Sequence, residues 1–126
     1  MSDVNRKQAP YLAALAERVL VFDGAMGTNI DTFTLTAEDY GGEATEGCRD
    51  YLVITRPDVI EQIHASFFEA GSDVVETCTF QSTRLRLDEW GLADQTHAIN
   101  QQAAALARKV ADRFSAQDGR PRFVAG

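Results

Sequence analysis

The 126-residue chain is 44% apolar and 25% charged, with a formal net charge of -7, a composition that supports one modest core burying roughly two thirds of the unfolded surface. An acidic balance without clustered Lys and Arg excludes a general nucleic-acid or anionic-membrane surface, since phosphates need cations to neutralise them. No apolar run approaches the ~18 residues of a membrane span, and the opening MSDVNRKQ has no signal-peptide pattern, so no membrane partner is expected and a cytoplasmic location follows.

In chain order, residues 9–18 (APYLAALAER) have helical composition and are expected to cover the floor or one face of a sheet. The run Val19-Leu20-Val21-Phe22-Asp23 is apolar and rich in β-branched and aromatic residues, as suits a buried strand with Asp23 at its carboxyl end. Gly24 and Gly27 follow, letting backbone N–H groups approach a ligand with no Cβ in the way. Residues 29–50 lack a sustained period and read as a long excursion, in which Asp31, Glu38, Asp39, Glu43 and Glu46 form a solvated face.

Thr55-Arg56-Pro57-Asp58 opens a helix, with Thr55 as its cap, Pro57 in the first turn and Asp58 at the positive end. Val59, Ile60, Ile63, Phe67 and Ala70 line one face, and Gly71 stops it. A second strand is expected over 73–80 (DVVETCTF), again ending in an acid and threonines. Helical patterns resume near Ser82, break at Gly91 and continue from about Asp94, with Ile99, Ala103, Leu106, Val110 and Phe114 on one face as far as Asp118-Gly119. Arg122-Phe123-Val124-Ala125-Gly126 is a third strand, so the grammar is that of an α/β chain with parallel strands. An ending on FVAG, where such a strand hands over to its loop, leads us to expect a piece of a longer protein.

Two acids ending two successive buried runs, Asp23 and Glu76, either cap turns or meet a ligand, because burying a carboxylate is costly without a partner. Cys48 and Cys78 are expected to be free thiols; neither belongs to a CxxC pair, and no metal site is spelled by this segment. Cys78 reads as a small buried thiol at a strand end. DGAMGT lacks the Lys-Ser/Thr of a phosphate loop. His64 and His97 fall on helices, remote from strand ends, as surface or packing residues. Trp90 with Leu85, Leu87 and Leu92 reads as packing on the outer face of the sheet.

The ordered set DGAMGT, EGCRDYLVITRPDVIEQIHASFFEAGSDVVETCTFQST and FVAG resembles the start of the homocysteine S-methyltransferase domain, especially the version found at the N-terminus of cobalamin-dependent methionine synthases. The resemblance covers about residues 19–126. It implies the N-terminal portion, about three βα units, of a (β/α)8 TIM barrel truncated at its third strand, preceded by a helical extension over 1–18. It further implies active-site residues at the carboxyl ends of the strands. Asp23 and Glu76 would then hold the ammonium group of homocysteine, and backbone N–H groups of Gly24, Ala25, Met26, Gly27 and Thr28 its carboxylate, with Thr77 and Thr79 beside them. The same resemblance implies that zinc activates the thiol through cysteines lying beyond Gly126, and that a separate cobalamin domain is the methyl-donating partner. This segment would carry the substrate half of the site and be inactive alone. Betaine- or S-methylmethionine-dependent relatives would share these strand ends, and a self-contained small α/β binding module is the reading of a different class.

Overall fold

The computed structural model describes residues 9–126. Positions 1–8 of the expected helical extension lie outside the described residues; the remainder forms α1 (Pro10–Glu17), with proline in its first turn. There follow α2 (Met26–Ile30), α3 (Leu52–Thr55), α4 (Pro57–Glu69), β1 (Val74–Glu76), α5 (Arg84–Asp88), α6 (Thr96–Asp118) and β2 (Phe123–Ala125), with short 3-10 turns at Glu43–Thr45, Arg49–Tyr51 and Ala93–Gln95. The chain is α/β, as its sequence pattern predicts.

Three strands are expected and, among the described residues, two form. β1 and β2 pair in parallel, with Val74, Val75 and Glu76 opposite Phe123, Val124 and Ala125. The predicted strand over 19–23 is reduced to a single parallel bridge between Phe22 and Val74. The cause is local. The Asp73 carboxylate takes the Val21 N–H at 2.9 Å, while the N–H groups of Asp73 and Val74 both donate to the Val21 carbonyl, at 2.7 and 3.1 Å. A side chain thus occupies the place of a ladder partner, and a ladder needs regular main-chain exchange to continue. Arg18 closes this clasp by pairing with Asp73 at 2.9 Å. The predicted strand over 73–80 is likewise only three residues long, since beyond Glu76 the chain turns to bring Thr77, Cys78 and Thr79 over the sheet edge.

Side chains alternate across the strands as the pleat requires. Val75 and Val124 meet Ala65 and Phe68 of α4 and Ala107, Val110, Ala111 and Phe114 of α6. Phe123 points the other way, edge-on to Tyr11 of α1 with ring centroids 5.6 Å apart. A larger cluster, containing Ile30, Leu52, Ile60, Leu87, Ile99 and Ala103, fills the space among the helices. Each of these leucines and isoleucines contributes about 1.5 to 3 kcal/mol when fully buried. The α6 face is the predicted one, with Ile99, Ala103, Leu106, Val110 and Phe114 all buried. Gly119 ends it at φ +71, the left-handed turn that a glycine takes without strain.

Two expectations for α4 need correction. Thr55 does not cap it: its hydroxyl donates to the Tyr51 carbonyl at 3.4 Å, and Arg56 occupies the cap position, where its side chain makes no capping bond to a first-turn N–H. The Arg56 guanidinium reaches Asp58 and Asp39 instead, which draws Asp39 out of the expected solvated face. The buried stripe also turns further than predicted. Phe68 is buried where Phe67 is half-buried and Ala70 exposed, because α4 packs on α3 and α6 as well as on β1.

His64, expected at the surface or in helix packing, is fully buried, and neither ring nitrogen has a hydrogen-bond partner. Burial pulls its pKa down to about 4, with Glu61 opposing weakly. The unfolded imidazole takes its proton near pH 6.5, so the stabilisation of the neutral folded form is complete above that pH and is lost as pH falls towards 4. We predict that α4 amides in the full-length protein lose up to roughly 3 kcal/mol of protection against hydrogen exchange between pH 7 and pH 4. In His64→Met that loss should largely vanish; an identical pH profile in both proteins would contradict the assignment.

Candidate functional site

The parallel strands bring their carboxyl ends to one edge, where an open cavity of about 860 Å³ lies between the turn after Phe22, the 47–50 segment and the chain that follows β1. Eight of the nine substrate-binding candidates line it: Gly24, Ala25, Met26, Gly27, Thr28, Glu76, Thr77 and Thr79. The ninth, Asp23, sits just behind the wall. Its N–H donates to the Val74 carbonyl at 2.9 Å, and its Oδ2 accepts the Glu76 N–H at 3.1 Å.

Asp23 is thereby tied to β1 through one oxygen only; Oδ1 is buried and has no partner. Burial, foremost, and the nearby negative charge of Glu76 push its pKa up to about 6, against the lowering effect of the Glu76 N–H. The Glu76 side chain is exposed to the cavity. Among the described residues no ion pair or side-chain hydrogen bond engages it. Two carboxyl groups, one desolvated and one unengaged, therefore converge on the same edge, an arrangement that favours a cationic group between them.

Thr77 and Thr79 share one hydrogen bond between their hydroxyls at 2.7 Å. Two hydroxyls carry two protons, so one O–H remains for another acceptor. The Thr77 N–H is spent on the Ala125 carbonyl at 2.8 Å, which fixes this turn against β2.

Several wall residues were not foreseen: Gly47, Cys48, Arg49, Asp50, Gln81 and Trp90. Asp50 is buried, and its Oδ2 accepts the Gln81 N–H at 2.8 Å and the Ser82 hydroxyl at 2.7 Å. It pins the 47–51 turn to the chain after β1. Its only sequence signal is an acid one residue removed from the apolar Leu52-Val53, which does not disclose donors 31 and 32 residues away. Cys78 is buried as expected, and its thiol donates to Asp50 Oδ1 at 3.9 Å. Burial and then the Asp50 charge raise its pKa strongly, and burial raises that of Cys48 too; both are neutral thiols. Trp90 packs on the core cluster and also faces the cavity, whereas Leu85, expected to pack, is 80% exposed. Among the described residues no group of three or more His, Cys, Asp and Glu side chains could hold a metal ion, so the residues present do not form a zinc site.

Residues 20–126 match the family model described as homocysteine S-methyltransferase. The chain is 45% identical over 125 residues to a methionine synthase of Mycobacterium tuberculosis, covering 99% of this chain and 10% of that protein. Against a methionine synthase of Mycobacterium leprae the figures are 44% over 115 residues, 91% and 9%. The chain thus spans about a tenth of the length of these relatives. In three dimensions it resembles the metallated form of the homocysteine methyltransferase MmuM from Escherichia coli, with a TM-score of 0.75 at 24% identity over 94% of this chain and 40% of that one; the oxidized form gives 0.76.

Proposed function

Because the chain belongs to the homocysteine S-methyltransferase family, we propose that it supplies the homocysteine-holding part of an enzyme that methylates homocysteine to methionine. In this reading residues 19–126 are the first βα units of a (β/α)8 barrel and the residues before them a helical extension. The open outer edge supports it: Val19 is 83% exposed, Val21 53% and Phe22 41%, an apolar run that further strands of a closed barrel would cover. So does a cavity at the carboxyl ends of the strands, where barrel enzymes build their sites.

The observation that carries the proposal is the pairing of Glu76 with Asp23, whose Oδ1 is buried and unpartnered. An ammonium group lying between them supplies the missing donor to Oδ1 and offsets the charge of both acids. The amides of Gly24 to Thr28 then face the carboxylate end of the same molecule, and the spare Thr77 or Thr79 O–H offers one further donor. The roles of this chain are to bind, orient and exclude water. Its cavity is larger than one small amino acid fills, which leaves room for a methyl donor.

Zinc, which lowers the pKa of a bound thiol, and methylcobalamin as donor belong in this proposal to protein beyond Gly126, the latter in a separate domain. The test is to supply the full-length protein with homocysteine and, separately, methylcobalamin, betaine or S-methylmethionine, and to quantify methionine by mass spectrometry. We expect methionine from methylcobalamin alone and its loss on zinc chelation. Turnover with betaine or S-methylmethionine instead would overturn the donor assignment, and no methionine from any donor would overturn the function.

A further inference from the structure

An amino acid is a zwitterion, and a positive group at the end opposite its acids strengthens the hold that backbone amides alone have on its carboxylate. Among the described residues lining the cavity, one is a cation, Arg49. It stands on the 3-10 turn Arg49–Tyr51 and lines the same cavity as Glu76. Its Nη2 donates to both oxygens of Asp31, at 2.8 Å each, while Nη1 and Nε make no hydrogen bond among the described residues. Asp31 does not line the cavity, so it holds the guanidinium through Nη2 alone and leaves the other donors unspent, Nη1 lying beside the cavity residue Gly27.

Gly27 makes this placement possible. A Cβ built there would lie 2.9 Å from Arg49 Nη1 and 3.3 Å from its Cζ, so the guanidinium rests on the bare Cα of a residue whose amide also lines the cavity. From this geometry we infer that Arg49 is a positioning and specificity-determining residue: it pairs with the α-carboxylate of the amino-acid substrate, completing a site with acids at one end and a guanidinium at the other. The inference rests on the homocysteine reading of the same cavity. It also gives Gly27 a purpose beyond backbone freedom, since its helical conformation would accept alanine and only the neighbouring guanidinium objects.

The test compares L-homocysteine with its α-amide, which keeps the thiol and the ammonium group and removes the negative charge. Binding of each to the zinc-loaded full-length protein is measured by calorimetry. The wild-type protein is expected to favour the acid by about 10- to 100-fold, the scale of a charge-assisted hydrogen bond in a partly desolvated site. Arg49→Met should bring the two ligands to within about threefold, chiefly by weakening the acid, and Arg49→Lys should keep part of the preference because the charge remains but the fork does not. Gly27→Ala, which displaces the end of a flexible side chain, should shift the preference in the same direction without lowering the melting temperature.

A merely structural Arg49–Asp31 pair predicts something else: Arg49→Met would weaken both ligands by one common factor, and that result overturns the inference, as does an intact preference for the acid. A wild-type protein that binds neither ligand would remove the homocysteine reading itself, whereas one that binds both with no discrimination would remove only the role given to Arg49.

Discussion

Asp23→Asn in the full-length protein is expected to weaken homocysteine binding by about 100-fold, and Glu76→Gln by about tenfold, with zinc content unchanged in both. The difference follows from their surroundings. Asparagine can still accept the Glu76 N–H through its carbonyl, so the junction with β1 survives, but its NH2 then takes the place of Oδ1 and presents donors to an ammonium group that is itself only a donor. Glu76 is exposed, and water screens what it loses.

The pH dependence has a definite sign. With a pKa of about 6 before the ligand binds, Asp23 must give up its proton to receive an ammonium group, so affinity should fall about tenfold for each pH unit below 6. The thioether of methionine has no proton to lose, so methionine as ligand isolates this effect from titration of the homocysteine thiol. In Asp23→Asn the slope should disappear. The same raised pKa acts on folding in the opposite sense: the protonated acid favours the folded chain below its ordinary pKa of 3.8, and this contribution is lost as pH rises through 6. Unchanged homocysteine affinity in both variants would take the two acids out of the site.

Asp50→Ala is expected to cost about 3 kcal/mol, because it orphans the buried Ser82 hydroxyl and the Gln81 N–H together. Hydrogen exchange at residues 78–84 of the full-length protein reports it locally. Asp50→Asn keeps one acceptor oxygen and should lose about half as much. Ser82→Ala should cost about 1 kcal/mol alone and nearly nothing in the Asp50→Ala background, since the two share one network. Additive losses, or an Asp50→Ala cost below about 1 kcal/mol, would show that the clasp does not hold the wall.

What was legible in the sequence was whatever obeys a local rule. The face of α6 follows from a 3.6-residue period sustained over its length, its end from Gly119, and the parallel β1–β2 pairing from the alternation of apolar runs with helices. Eight residues of the cavity wall were readable because strand ends followed by Gly and Thr announce themselves. The first strand was overpredicted because an apolar run says nothing about the Asp73 carboxylate that intercepts the Val21 amide. Arg49 and Asp50 were missed for a related reason: their partners, Asp31 and Ser82, are 18 and 32 residues away, and no short-range pattern encodes such pairs. Of the two readings of His64, surface and packing, burial settles on packing, because the buried face of α4 is wider than the stripe read from its aliphatics.

The lone Oδ1 of Asp23 sets two kinds of selection against each other. An acceptor shielded from water and left without a donor costs folding free energy, so a library screened purely for heat resistance should enrich replacements at codon 23. Growth of a methionine auxotroph rescued by the same gene should purge them. A single oxygen atom would then mark where durability and usefulness part company.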